Sequence, residues 1–396
     1  MDYLSRVLKH DDIVLGMEFS DDGSLAVTRA RDGVARIWNP ENDSPVRSLT
    51  GLPEIEDDDL RRQFVDETLF ARLSPNGTKL VTLTDEPRAK VSFNSILGVG
   101  GLEIDSPYAP LRVWDVETAR IEQAFPKVNK GIASMDMSAD GRLVAAGQHE
   151  KLKFKTVFRS FAKSGSHGDH ESAEGPTSVR LWDTATGNEI HELEGHEGTV
   201  QMVGFSDNGR LLVSADRNET RLWETSSGEQ LLSFDKSAHM QHVDFLPGDK
   251  QVLLWAHGKA GIWSLATGEM TTRLSIHGHL TDIRHCEISS NNELVACVTD
   301  SNIAYLCSSD SGEVVRKLDG HQSKITAVAF HPLNGQLATA SEDKTIKDWD
   351  ASSGNLIRTL EGHTQTITSL TFSSDGRWFG STSRDFTARL WPVSAF

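Results

Sequence analysis

The sequence predicts an all-β fold built from one four-stranded unit repeated around a ring. Three observations predict it: tryptophans that recur at a near-constant interval, alternating strands that frame each of them, and two chain ends that share a single unit. Trp182, Trp223 and Trp263 lie 41 and 40 residues apart, and Trp349 and Trp391 lie 42 apart. Cys307 takes the expected place between Trp263 and Trp349, whereas the intervals Trp38–Trp114 and Trp114–Trp182 widen to 76 and 68, which implies insertions.

Each unit reads the same way. A first strand ends in a phenylalanine-like residue and a turn, as in "TVQMVGFSDNG", "KITAVAFHPLNG" and "TITSLTFSSDG". A second strand follows ("RLLVSAD", "QLATASED"), and a third ends near tryptophan ("TRLWE", "TIKDWD", "TARLW"). A turn such as "TATGN" or "ASSGN" leads to a fourth strand closing on Gly-His, as in "EIHELEGH", "VVRKLDGH" and "LIRTLEGH". Short strands with period-two alternation, separated by Gly, Asp and Asn turns, describe an antiparallel meander. Repeats of this length with Gly-His and Trp-Asp marks are the signature of a β-propeller blade.

On those marks the chain resembles the WD40-repeat proteins over nearly its full length. The matching dipeptides are Gly195-His196, Gly278-His279, Gly320-His321 and Gly362-His363, with Trp114-Asp115, Trp182-Asp183 and Trp349-Asp350. Eight tryptophan-equivalent positions (Trp38, Trp114, Trp182, Trp223, Trp263, Cys307, Trp349, Trp391) give eight blades in one domain spanning residues 1–396. Seven, the commoner number in that family, is the alternative if one repeat is degenerate. The chain stops after its eighth third strand, "TARLWPVSAF", and its first residues, "MDYLSRVLKH", scan like the missing fourth. Pairing the two closes the ring and removes an exposed edge.

Composition narrows the function. With 57 Asp and Glu against 40 Lys and Arg, the net charge is −17, which disfavours bulk binding to phosphate backbones. The N-terminus has no apolar core of a secretory signal, and no apolar run is long enough to span a bilayer. Three cysteines without C-x-x-C spacing argue for a reducing compartment, so cytoplasm or nucleus is expected. His239, His242, His257, His277, His279 and His285 crowd two blades, but alternation disperses them, and scattered structural roles are expected. Cys286, Cys297 and Cys307 share one blade, where small apolar packing is expected.

Ser, His and Asp recur near each tryptophan, which raises the question of a hydrolase triad. The resemblance implies instead a hydrogen-bond network of turn histidine, second-strand Ser or Thr, turn aspartate and tryptophan. Its physical logic is that a buried indole N–H, imidazole, hydroxyl and carboxylate satisfy one another. On this sequence the expected sets are His321, Ser341, Asp343 and Trp349, then His363, Ser383, Asp385 and Trp391. His196, Ser214, Asp216 and Trp223 nearly match, and the first unit has His10, Asp32 and Trp38 with Ala30 at the serine position. Catalytic machinery is rarely tiled this way, and no Gly-x-Ser-x-Gly elbow occurs. No catalytic residue, cofactor or metal site is expected.

Three insertions interrupt the repeat, at 52–66, 88–110 and 151–176. Loops joining strand four to strand one, and strand two to strand three, leave a propeller on the same face, here called the top. All three insertions therefore fall on one sector of that face, where binding loops are common. The second, containing Val91, Phe93 and Val99, reads as a hairpin or cap. In the third, Lys151, Lys153, Lys155, Arg159 and Lys163 interleave with Leu152, Phe154, Val157, Phe158 and Phe161. That pattern is either a basic, aromatic arm for an acidic peptide, lipid headgroup or nucleic acid, or a strand extension or short helix packed on blade three with solvated lysines.

The resemblance also implies a partner-binding patch on the top face, formed by residues just before each turn aspartate and near each first-strand start. Carried onto this sequence, it gives Leu15, Arg31, Leu69, Gln201, Gln241, Arg284, Lys324, Thr326, Glu342, Thr368 and Arg384. Arg31, Arg384 and Lys324 would form a cationic sector suited to acidic or phosphorylated peptides. The expected function is a non-enzymatic protein-interaction scaffold, a monomeric propeller within a larger complex. An adaptor subunit of a ubiquitin ligase or chromatin complex is the alternative, and a hydrolytic or redox propeller enzyme is third.

Overall fold

The computed structural model describes residues 5–32, 34–42, 45–50, 70–74, 76–83, 89–94, 99–104, 111–125, 131–149, 177–234, 242–256, 259–276 and 283–393. Its strands assemble into eight four-stranded antiparallel sheets, the blades of a propeller. Six are plain meanders of consecutive strands, and blade two is a meander interrupted by a hairpin between its second and third strands; blade one, for example, comprises Val14–Phe19, Ala26–Ala30, Val34–Trp38 and Pro45–Thr50. Blade eight combines Ile367–Phe372, Trp378–Ser383 and Thr387–Pro392 with the N-terminal strand Arg6–Lys9. The pairing runs Arg6↔Leu390 to Lys9↔Thr387, so the ring closes as the two chain ends predict. The repeat carrying Cys307 is a full blade, formed by Ile283–Ile288, Leu294–Thr299, Ile303–Ser308 and Val314–Asp319, and the count is eight rather than seven.

Sequence alternation explains the layering. Second strands are buried on both faces because each lies between neighbouring strands and between neighbouring blades; Trp378–Ser383 is buried at every position. Fourth strands form the outer rim and are largely exposed, as in Leu356–Leu360, where only Leu360 is buried. The core is a chain of inter-blade clusters. Phe125 and Ile132 pack with Trp182 between blades two and three, and Ile325 and Phe330 pack with Trp349 between blades six and seven.

Six of the eight first-to-second-strand turns use one device; blades five and seven have Leu246 and His331 at the serine position. Ser373 Oγ donates to Asp375 Oδ1 at 2.6 Å and accepts the Trp378 N–H at 2.9 Å, while Gly376 adopts φ +68°, a conformation that favours glycine. Ser20, Ser74, Ser138, Ser206 and Ser289 repeat the hydroxyl bond to an Asp or Asn two residues on.

Among the insertions, 88–110 contains a separate hairpin, Ala89–Asn94 paired with Val99–Ile104. The other two, 52–66 and 151–176, lie outside the described residues, and with them Lys153, Phe154, Lys155 and Arg159. Leu69 and Gln241 also lie outside. Among the described residues no helix is long and apolar enough to cross a membrane.

Candidate functional site

The tiled Ser/Thr, His and Asp residues sit where strand pairing puts them. In blade seven His321 Nε2 lies 2.9 Å from Thr339 Oγ1, and Trp349 Nε1 donates to the same hydroxyl at 2.8 Å. His321 Nδ1 is 2.8 Å from Asp343 Oδ2. Blade eight repeats this with His363, Ser381, Trp391 and Asp385. The hydroxyls at the centre are therefore Thr339 and Ser381, which corrects the expectation of Ser341 and Ser383. Ser341 Oγ instead donates to Ser323 O and accepts the Asp343 N–H, and Ser383 does the equivalent with Thr366 O and the Asp385 N–H. These serines fasten the turn at the strand's end. Alternation could not separate the candidates, because residues two apart share one strand face.

The correct position has a simple rule. Trp349 pairs across the strands with Leu337, and the hydroxyl lies two residues further, at Thr339. Thr28, Thr82, Ser214 and Ser381 obey the same rule, and each accepts the indole N–H of its own blade's tryptophan. Blade one is thus better furnished than Ala30 suggested. There Thr28 meets His10 Nε2 at 3.0 Å, but Arg36 rather than an aspartate holds His10 Nδ1, at 2.9 Å. Burial and the Arg36 charge push the His10 pKa down to about 3. In blade three the rule falls on Ala146, and the buried Trp182 Nε1 has no hydrogen-bond partner among the described residues.

Burial alone would raise the Asp343 carboxyl. Hydrogen bonds from Thr345, the Gln322 N–H and His321 overcome it and hold the pKa at about 2. Asp216 is held at about 2 against the same burial by His196 and the N–H groups of Glu219 and Asn218. Burial outweighs Asp343 at His321, whose pKa is lowered. In blade seven the imidazole of His321 and the carboxylate of Asp343 are thus both held and engaged by their own blade, and neither is a free base at neutral pH.

Blade six fills the same space differently. The rule falls on Cys297, the tryptophan place is Cys307, and Cys286 pairs directly across from Cys297. All three thiols are fully buried, with Cys286 Sγ 2.8 Å from Cys297 Sγ. Burial pushes the Cys297 thiol well above the ordinary range, and the hydrogen bond with Cys297 does the same for Cys307. The rings of neighbouring Trp255 and His285 meet at a tilt of 47°, with centroids 6.0 Å apart.

The top-face residues do not form the continuous cationic sector expected from register. Arg284 clamps Asp300 through two bonds of 3.0 and 2.9 Å, and Lys324 approaches the same carboxylate at 3.6 Å. Lys324 therefore turns toward blade six, away from Arg31 and Arg384. Arg384 is exposed and its side chain has no partner among the described residues, while Arg31 is half-buried and engaged. Glu342 is exposed and accepts a 3.2 Å bond from Ser323. Thr368 spends its hydroxyl on Val14 O and Thr382, whereas the buried Thr326 Oγ1 has no hydrogen-bond partner among the described residues. Leu15 and Gln201 are half-buried.

Register reasoning missed the charged ring lower in the channel. The penultimate residues of the eight innermost strands are Glu18, Arg72, Asp136, Gly204, Asp244, Glu287, Ala329 and Thr371. Arg72 bonds Glu18 and Asp136 at 3.0 Å each. The charged types at one repeating register position were a legible signal.

Comparison with known proteins places this architecture. The family model "WD domain, G-beta repeat" matches residues 3–39, 187–224, 312–350 and 354–392. A transcriptional corepressor, LEUNIG_HOMOLOG of Arabidopsis thaliana, is 25% identical over 87% of this chain and 36% of its own length. Apoptotic protease-activating factor 1 of Rattus norvegicus is 22% identical over 76% of this chain and 20% of its own, so the chain spans only a fraction of these relatives. Nuclear distribution protein nudF of Emericella nidulans is 25% identical over 80% of this chain and 71% of its own length. Among solved structures, the computationally designed Ika8 protein superposes with a TM-score of 0.70 over 99% of both chains at 19% identity, a likeness of fold. Matched WD40 repeats thus lie in the first blade, the middle of the ring and the last two blades, and the chain is similar in sequence and fold to WD40-repeat proteins.

Proposed function

We propose that this chain is a non-enzymatic protein-interaction scaffold that receives an acidic or phosphorylated segment of a partner on its top face, near the junction of blades eight and one. The observation that carries this reading is the fate of the Ser/Thr, His and Asp sets. Each is buried and spent on its own blade, so the chemistry available to a partner lies in the exposed top-face side chains. Arg384 offers an exposed guanidinium able to bind carboxylate or phosphate through two parallel bonds, with Arg31 in the adjoining blade. On a chain of net charge −17 such a cation is a local exception and selects acidic ligands. Relatives named a transcriptional corepressor and a nuclear distribution protein fit a scaffold working in nucleus or cytoplasm.

The test is affinity purification of the wild type beside the double variant Arg31→Glu/Arg384→Glu, with thermal melting to establish that both are folded. The expected result is loss of the principal co-purifying proteins at an unchanged melting temperature. Retention of every partner rejects the top-face site.

A further inference from the structure

The opposite mouth of the channel holds a cavity that the top-face reading does not use. It has a volume of about 370 Å³ and lies between blades six, seven and eight, at the ends of their innermost strands. Phe330, Leu370, Phe372 and Pro332 supply apolar walls, and Glu287 and His285 line it from blade six. Just past Pro332, Leu333 is 72% exposed, the most exposed large apolar side chain among the described residues.

Charge at this end of the channel is unbalanced. The ring carries four carboxylates, Glu18, Asp136, Asp244 and Glu287, and one cation, Arg72. Arg72 is claimed on the far side by Glu18 and Asp136. Asp244 has no ion pair or hydrogen bond among the described residues, and Glu287 has only the Phe330 N–H, at 3.0 Å on Oε1. Burial, reinforced by Asp244, raises the Glu287 pKa to about 8, and burial raises that of Asp244 to about 6. A cation arriving here relieves that cost, whereas an anion is repelled.

The shape selects among cations. The lining is mixed: Thr371, Ser373 and Ser374 add polar groups, while Phe330, Leu370 and Phe372 beside Glu287 suit a hydrocarbon stem that ends in a charge, and no three described His, Cys, Asp or Glu side chains converge as a metal site. We infer that this mouth is a second docking site, taking a basic side chain of a partner polypeptide. Its stem lies along Phe330, Leu370 and Phe372, its charge sits on Glu287, and an apolar neighbour in the partner rests on Leu333. The site is independent of the top face, and one scaffold therefore bridges two partners, an acidic one above and a basic one below.

The experiment uses the full chain and two blocked peptides, acetyl-Gly-Leu-Lys-Leu-Gly-amide and its norleucine counterpart, which keeps the stem and lacks the charge. Binding is titrated by saturation-transfer NMR at pH 8 on wild type, Glu287→Gln, and Arg31→Glu/Arg384→Glu. The lysine peptide is expected to saturate the wild type, with the norleucine peptide and Glu287→Gln each weaker by at least about tenfold. The top-face variant is expected to bind as the wild type does. Glu287→Gln is isosteric, and its melting curve establishes that it is folded. No saturation of wild type by about 5 mM lysine peptide, or equal binding by norleucine or by Glu287→Gln, overturns the site.

Discussion

Blades six and seven are neighbours with the same strand pairing, yet they fill the heart of the blade with opposite chemistry. Blade seven joins Trp349, Thr339, His321 and Asp343 by directed bonds, and blade six packs Cys307, Cys297 and Cys286 in a dry cluster. The difference teaches that strand pairing and inter-blade packing set the blade, and that the polar network is one of two ways to complete it. It also marks the polar set as a fastener, because three buried thiols take its place in blade six without altering the architecture.

Removing the side chain at the tryptophan place should separate the two blades most. Trp349→Ala opens a large cavity and strips Thr339 of its donor, and is expected to cost about 4 kcal/mol in urea unfolding. Cys307→Ala removes one buried sulfur and should cost about 1 kcal/mol. Equal losses would show that both fillings work by volume alone.

The second contrast is electrostatic. Asp343→Asn should cost about 2 kcal/mol at neutral pH, because it weakens bonds made to a charged acceptor. The Asp343 carboxyl is depressed in the folded state, so its contribution is fully present above its ordinary pKa of 3.8. It disappears as pH falls toward about 2, so the gap between wild type and variant should close over that window. Blade six has no counterpart to this acid sensitivity in its core.

An effect of opposite sign is expected from Glu287, whose folded pKa is raised from 4.5 to about 8. A raised carboxyl favours the folded state most when protonated. Wild-type stability should therefore decline between about pH 4.5 and 8, and Glu287→Gln should flatten that decline. Melting temperatures measured across that range check it; parallel curves would mean that Glu287 is not held protonated.

Fold and ring closure were legible because each blade repeats the same alternation and punctuation, down to "YLSRVLKH" echoing "LIRTLEGH". The network was legible in type but not in position. Ser341 and Thr339 share a strand face, and only the pairing of Trp349 with Leu337 shows which hydroxyl the indole reaches. Lys324 was assigned by register to the wrong neighbour, because register fixes where a side chain starts and not which carboxylate, here Asp300, it reaches. The channel ring was readable in principle, since Glu18, Arg72, Asp136, Asp244 and Glu287 occupy one repeated position, but its imbalance depends on Arg72 pairing across blades.

The claim that these serines, threonines and histidines are structural, and centred on the residue two past the tryptophan's partner, is tested most directly by unfolding Thr339→Val beside Ser341→Ala. Thr339→Val keeps shape and leaves the Trp349 N–H and His321 Nε2 without their shared partner, and should cost about 2 kcal/mol. Ser341→Ala removes a turn fastener at the strand's end and should cost about 1 kcal/mol or less. The reverse order, with Ser341 the costlier residue, would contradict the account.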